Sequence, residues 1–477
     1  MRGHGWCLPP TQVNHTQVIM VGAGIVNLMT AWRLAGAGYR IDIYDSGAGP
    51  VPALDPAANG CTLGGGNGRM FTLTEADIYN PSLSRHDPVL LSTPVSDGGW
   101  RAFPAQAWTI QEQHWAEQFH GIPPEISKRY ESDLIELNRH AWDDWNVCIK
   151  QQPGLFKVSG LAMGILRLYA NSESLAHAIE RHRRIGGLRR ILSVRQLAAD
   201  YPSLAVAADA GEISGGIEVA GFTLGIYEFI LNLSLLLEAQ GVTFHWGHIV
   251  DRIEWARPGL AAGLRDRSGV LMKADHYVLS VGAYGHNLLN GTEAGRQIQG
   301  VAGVWITIPN AAPSLPLSLK LRRDGHATPD TNVTVIDDPV KGSVLVLGAG
   351  YGWIGANPEN IDVAQLAALF NGIQDTARRF FPAAYRMAAR DGWLRTTRRW
   401  CIRPWTATSL GVFEMCPTIA GGSLIVTGGH NTGGFAQAPV VGDAVLAALE
   451  GTAHPMHSYY DPRRSRHDLA ALRAGHG

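Results

Sequence analysis

Gly22, Gly24 and Asp45 are the residues whose types and spacing most directly imply chemistry. They belong to Gly22-Ala23-Gly24-Ile25-Val26-Asn27, which follows an apolar run and opens a helical pattern. Gly22 allows a tight turn, and Gly24 lets the backbone approach a pyrophosphate. The phosphate then rests on the helix N-terminus, where free N–H groups and the macrodipole favour negative charge. Asp45 stands 23 residues after Gly22, followed by Ser46, where an acid can hold ribose hydroxyls. A bare Gly-x-Gly also fits a glycine turn with no ligand. The strand before it, the helix after it and the acid-ended strand beyond favour dinucleotide binding. Asn27 falls where the pattern wants Gly or Ala, so helix-on-strand packing is expected to be looser there. A second run, Gly348-Ala-Gly350-Tyr351-Gly352-Trp353, has neither a helix nor an acid-ended strand after it and reads as a bent strand end near the substrate.

The elements that position these residues follow from hydrophobic period. Residues 17–22 read as a buried parallel strand, 25–36 as a helix and 39–45 as a second strand, a crossover of about 30 residues. Residues 124–149, 172–184, 193–200, 226–240, 361–381 and 436–450 read as helices. Residues 242–246, 271–281, 303–308, 331–336, 343–347 and 423–427 read as strands. The run Gly60–Gly68 fits no regular element. No repeat or low-complexity linker is present, so the chain is expected to weave between two domains without one boundary.

The composition narrows the function. With 477 residues, 45% hydrophobic and 17% charged, a large core is available. The net charge is -1, from 40 basic and 41 acidic residues, so no global field draws the chain to nucleic acid or an anionic surface. Five widely spaced cysteines and eighteen histidines show neither a disulfide framework nor metal spacing. No apolar leader and no run of about 18 apolar residues occur, so a cytoplasmic location without a membrane span is expected.

Four segments together resemble the D-amino-acid oxidase superfamily of flavoproteins, which includes glycine oxidase, sarcosine oxidase and D-amino-acid dehydrogenase. They are the early glycine turn, Gly247-His-Ile-Val250, Val278-Leu-Ser280-Val-Gly282, and Cys401-Ile-Arg403-Pro404 followed by Thr427-Gly-Gly429-His430-Asn431-Thr432-Gly433-Gly434-Phe435. The resemblance implies FAD. It also implies an α/β fold: a Rossmann-type FAD-binding domain (17–100, 213–290 and 396–455) interleaved with an α+β substrate domain on a mostly antiparallel sheet (101–212 and 291–395). In such a fold the late glycine loop runs against the flavin, and the helix after Phe435 turns its positive end toward the ring's electron-rich side. Asn431 stands where relatives have Gly; Asn best tolerates positive φ among the other residues. Val250 is expected on the adenine side.

The implied chemistry is oxidation of the C–N bond of an amino acid or N-substituted amino acid. A hydride passes to flavin N5, and the imine hydrolyses. Arg403 would clamp the substrate carboxylate with its planar fork, the other reading being a core ion pair. Relatives' other carboxylate-binding cations would fall on Thr72 and Ala436, neither basic. Gly66-Asn67-Gly68-Arg69-Met70 matches a loop over the flavin; Arg69 would either raise its reactivity or hold a carbonyl. Cys401 occupies the place of a covalent flavin thioether in sarcosine oxidase, or is a small buried side chain. Tyr351, Trp353, Trp405 and Tyr284 read as substrate-pocket wall or as core. His430 reads as an aid to oxygen chemistry or as structural. Oxygen is the expected acceptor. The alternatives are a dehydrogenase serving a quinone or protein partner, and a FAD-binding subunit of a heteromeric complex.

Overall fold

Gln17–Val21 is buried at every residue but the first, as suits a strand with neighbours on both sides. In the computed structural model, which describes residues 16–50, 70–76, 78, 90–105, 108–338 and 340–475, it pairs in parallel with Arg40–Asp45 and His276–Leu279. The full sheet has six strands, in spatial order Val412–Pro417, Ser423–Gly428, His276–Leu279, Gln17–Val21, Arg40–Asp45 and Thr243–Trp246. Only Val412–Pro417 runs antiparallel to its neighbour.

A nine-stranded, mostly antiparallel sheet forms the second layer. Its long central strands are Ile298–Pro309, Gly342–Gly355 and Asp330–Asp338, with Arg399–Thr406 at one edge. Leu319–Arg322 pairs antiparallel with Asp330–Asp338 and parallel with Ala162–Tyr169. The fold is therefore α/β, a parallel nucleotide-binding sheet interleaved with an antiparallel one. Met70–Thr72, Gly215–Thr223 and Arg399–Thr406 belong to the nine-stranded sheet. We keep the two-domain division as a proposal in which each cofactor segment also lends a strand to the substrate side.

One expected strand divides. The alternating run 271–281 forms Leu271–Met272 and His276–Leu279, which lie in different sheets. The turn between them is tied by Ala274 N–H donating to the Tyr277 hydroxyl (2.8 Å) and by the Asp275 carboxylate accepting from Gln17 N (2.7 Å). Alternation alone does not reveal such a tie. The glycine run 348–355 is the second half of one 14-residue strand, Gly342–Gly355. No helix among the described residues is long and apolar enough to cross a membrane.

Candidate active site

The early turn is built for close approach. Gly22 has φ +94°, and a Cβ there would stand 2.4 Å from the Ser280 carbonyl oxygen, so only glycine fits. Ala23 N–H donates to one Asp45 carboxylate oxygen (2.6 Å) and Gly47 N–H to the other (2.7 Å). Ser46, beside it, is exposed. Gly24 caps the Ile25–Gly36 helix without a side-chain cap, and the position of its missing Cβ has nothing within 4 Å. Asn27 corrects the expectation of looser packing. Its fully buried amide donates to the carbonyls of Val21 (2.8 Å) and Gly22 (2.7 Å), stapling strand end to turn.

The late loop meets the early one. The Gly434–Leu449 helix packs along Ile25–Gly36, with Gly442 against Met29, Thr30 and Arg33, and with an Arg33–Asp443 ion pair. A Cβ on Gly434 would lie 3.9 Å from Val26. Both helices follow parallel strands of one sheet, so both begin at its carboxyl edge. The N-cap of the second, Gly433, also has no side-chain cap. Asn431 has φ +54°. Its side chain accepts from Thr406 N (3.1 Å) and donates to Ser409 O (2.7 Å), while its N–H donates to Pro404 O (3.0 Å). The loop is thus sewn to the strand that carries Arg403. Phe435 is buried against Trp145, ring centres 5.2 Å apart. Burial pushes the His430 imidazole down to about 4, against a smaller opposing pull from Gln437.

These residues fit FAD. Open space beside Gly24 and two uncapped helix ends at one edge suit the diphosphate and the electron-rich side of the flavin ring. Asp45 ends the second strand beside that turn. Gly282, at φ +60°, follows Ser280 at the end of the neighbouring strand. Val250 opens a strand of a separate three-stranded sheet and packs with Ile253 and Leu264. Gly66, Asn67, Gly68 and Arg69 lie outside the described residues.

A cavity lies between the late loop and the antiparallel sheet, and Ile25, Met70, Thr432, Gly434 and Phe435 are on its cofactor side. On the sheet side, Arg403 crosses Gly303, whose Cβ would fall 2.7 Å from Nη2, and donates to the carbonyls of Gly350 and Ala302 (3.3 Å). It has no acidic partner among the described residues, and its Nε is buried without a hydrogen bond. Among the described residues Arg403 therefore makes no core ion pair. Tyr351 lines the cavity, with its hydroxyl 3.4 Å from Asp330 Oδ2. Trp353 and Trp405 do not. Trp353 is fully buried, bonded to Gln299 (2.8 Å) and stacked on Trp115 (5.5 Å). Trp405 is likewise fully buried, behind Arg403. Cys401 is a buried cysteine that lines the cavity edge and packs with Trp305, Val344 and Val346. Burial, with Cys401 nearby, pushes the Tyr284 hydroxyl up.

Sequence reasoning missed a charged group in this cavity. Lys320 Nζ lies 2.5 Å from Glu75 Oε1, which also accepts from Thr72 Oγ1 (2.8 Å). Arg322 bonds Asp324 (2.6 Å) and Asp330 (2.7 Å). Arg167 donates to Thr74 (2.6 Å). The available signal was the alternation Leu319-Lys320-Leu321-Arg322, which reads equally well as a solvent-facing strand.

Fold and site together define a dinucleotide-binding oxidoreductase with a substrate cavity over its antiparallel sheet. The chain belongs to the FAD dependent oxidoreductase family, whose model matches residues 17–448, and FAD is its cofactor. This is the superfamily that its motifs resemble. A D-amino acid dehydrogenase of Methylobacterium radiotolerans is 23% identical over 458 residues, covering 91% of this chain and 96% of the relative. A D-amino acid dehydrogenase of Xylella fastidiosa is 24% identical over 394 residues, covering 79% and 83%. Glycine oxidase from Bacillus cereus shares the fold at TM-score 0.60 and 16% identity, over 92% of this chain and 96% of that one. L-proline dehydrogenase from P. horikoshii does so at 0.62 and 13%, over 96% and 99%.

Proposed function

We propose that the protein oxidises the C–N bond of an amino acid or N-substituted amino acid. The observation that carries this reading is Arg403: a guanidinium on the cavity wall whose hydrogen bonds among the described residues go only to backbone carbonyls. An arginine held in this way keeps its charge for a ligand, and its planar fork matches a carboxylate. Tyr351 backs it, and the late glycine loop, bonded through Asn431 to Pro404, fixes its distance from the cofactor side. Ile226, Ile230 and Phe435 exclude water from the other wall. FAD, when bound, supplies the two-electron acceptor. Loss of a hydride from the carbon beside the neutral amine would give an iminium ion, which releases a proton to become the imine or is hydrolysed by water directly, giving an oxo acid and ammonia or an amine.

Oxygen is the terminal acceptor in this reading. A second reading, a dehydrogenase that passes electrons to a quinone or protein partner, draws support from the curated relatives' being named dehydrogenases. Anaerobic addition of D- and L-amino acids to the holoenzyme tests the first step: bleaching of the flavin band is expected, and no bleaching by any amine overturns it. Admitting air then separates the two readings. Recolouring within seconds with peroxide supports the oxidase, and slow recolouring that a quinone accelerates supports the dehydrogenase.

A further inference from the structure

Two rungs of polar side chains cross the sheet that floors the cavity. Arg167, Lys320 and Asn332 are register partners on three adjacent strands, and Tyr169, Arg322 and Asp330 form the next rung. All six line the cavity. Leu166, Leu319 and Val333, the alternate residues, enter the core. Side chains alternate faces along a strand, so this row is one continuous polar floor. It is joined to the carboxylate clamp through Tyr351, whose ring carries Arg403 and whose hydroxyl meets Asp330.

The floor is balanced in charge but rich in donors. Lys320 pairs with Glu75, Arg322 with Asp324 and Asp330, and Arg167 donates to the Thr74 hydroxyl, so three cations and three carboxylates gather at the floor among the described residues. A further charge placed there would unbalance a floor whose formal charges already cancel, which is costly in a partly buried site. One oxygen of each lining carboxylate is doubly engaged: Asp330 Oδ2 takes bonds from Arg322 and Tyr351, and Glu75 Oε1 from Lys320 and Thr72. The amide of Asn332 and the hydroxyl of Tyr169 have no partner among the described residues, and Lys320 has used one of its three N–H donors. Unused donors in a cavity call for oxygen acceptors in the ligand.

We infer that the substrate is an amino acid whose side chain ends in an uncharged, oxygen-bearing group such as an amide or hydroxyl, held by the Asn332 and Tyr169 rungs. This rests on the amino-acid reading above and narrows it.

The test is anaerobic flavin reduction and steady-state kinetics of the holoenzyme. Glutamine and homoserine would be compared with norvaline and glutamate, in both D and L forms. Glutamine or homoserine should exceed norvaline and glutamate in kcat/KM by roughly tenfold or more, since a site built to bond a polar group discriminates against analogues lacking it. Asn332→Leu and Tyr169→Phe break no ion pair, so folding is expected to survive. Each should lower the glutamine-to-norvaline ratio of kcat/KM roughly tenfold, mainly through KM. Norvaline or glutamate equal to glutamine, or an unchanged ratio in both variants, overturns the inference while leaving amino-acid oxidation standing. No reduction by any amino acid overturns both.

Discussion

The guanidinium carbon of Arg403 stands 5.2 Å from the centre of the Tyr351 ring. The guanidinium also passes close over Gly303, whose missing Cβ leaves it room, and the residue lines the cavity. Arg403→Leu removes the charge and should lower kcat/KM for a carboxylated substrate roughly 100-fold, about 3 kcal/mol, mostly in KM. FAD content, read from the ratio of absorbance at the flavin band to that of protein, should stay near wild type. Arg403→Lys keeps the charge without the fork and should fall between the two. Kinetics indistinguishable from wild type in Arg403→Leu would place the clamp elsewhere.

Asn431 makes a different prediction because its backbone and side chain act separately. Asn431→Gly keeps the φ of +54° but loses the bonds to Thr406 and Ser409, at about 1–2 kcal/mol. Asn431→Ala loses the same bonds and must also hold positive φ, adding about 1 kcal/mol. Denaturation of the holoprotein should therefore rank wild type above Gly above Ala, with FAD dissociation constants in the same order. An alanine variant as stable as glycine would mean that the backbone strain is relieved by local movement.

Cys401 packs among Trp305, Val344 and Val346, which suits an apolar side chain better than a point of attachment. Acid precipitation should release all flavin into solution, and Cys401→Ala should still bind FAD. Flavin that stays with the acid pellet and is lost in the alanine variant would establish a thioether.

What was legible in the sequence was local. The Gly22–Asn27 turn is recognisable because strand, turn and helix are contiguous, and positive φ at Asn431 is expected from the glycine that relatives carry there, which Asn can replace. The polar floor was not legible: Lys320 and Glu75 are 245 positions apart, and Arg322 meets Asp330 only through strand register. Tyr351 and Trp353 show a second limit. Two residues apart, they should share one face of a regular strand. They do share it, in one aromatic cluster, but Trp353 is closed off by Phe103 and Trp115, so only Tyr351 reaches the cavity. The inversion at Asn27 has a similar origin: a side chain too large for close packing becomes an asset where two carbonyls are waiting.

His430 sets an acid limit on stability. Its imidazole titrates near 4 when folded, because burial disfavours the charged form, against an ordinary 6.5. Below 6.5 the unfolded chain takes up a proton that the folded chain refuses until about 4. The unfolded state then binds more protons, so stability rises with pH across this window and falls as the medium is acidified through it. The gap corresponds to about 3 kcal/mol, fully lost below 4. Burial and two neighbouring histidines also push His454 down to about 4, so it adds to the same slope. His430→Leu removes only the first contribution. As pH is lowered from 7 to 4.5, denaturant midpoints of the holoprotein should fall steeply in wild type and less steeply in the leucine variant. Equal slopes would mean that His430 reaches solvent in the folded protein and is not held neutral by the late glycine loop.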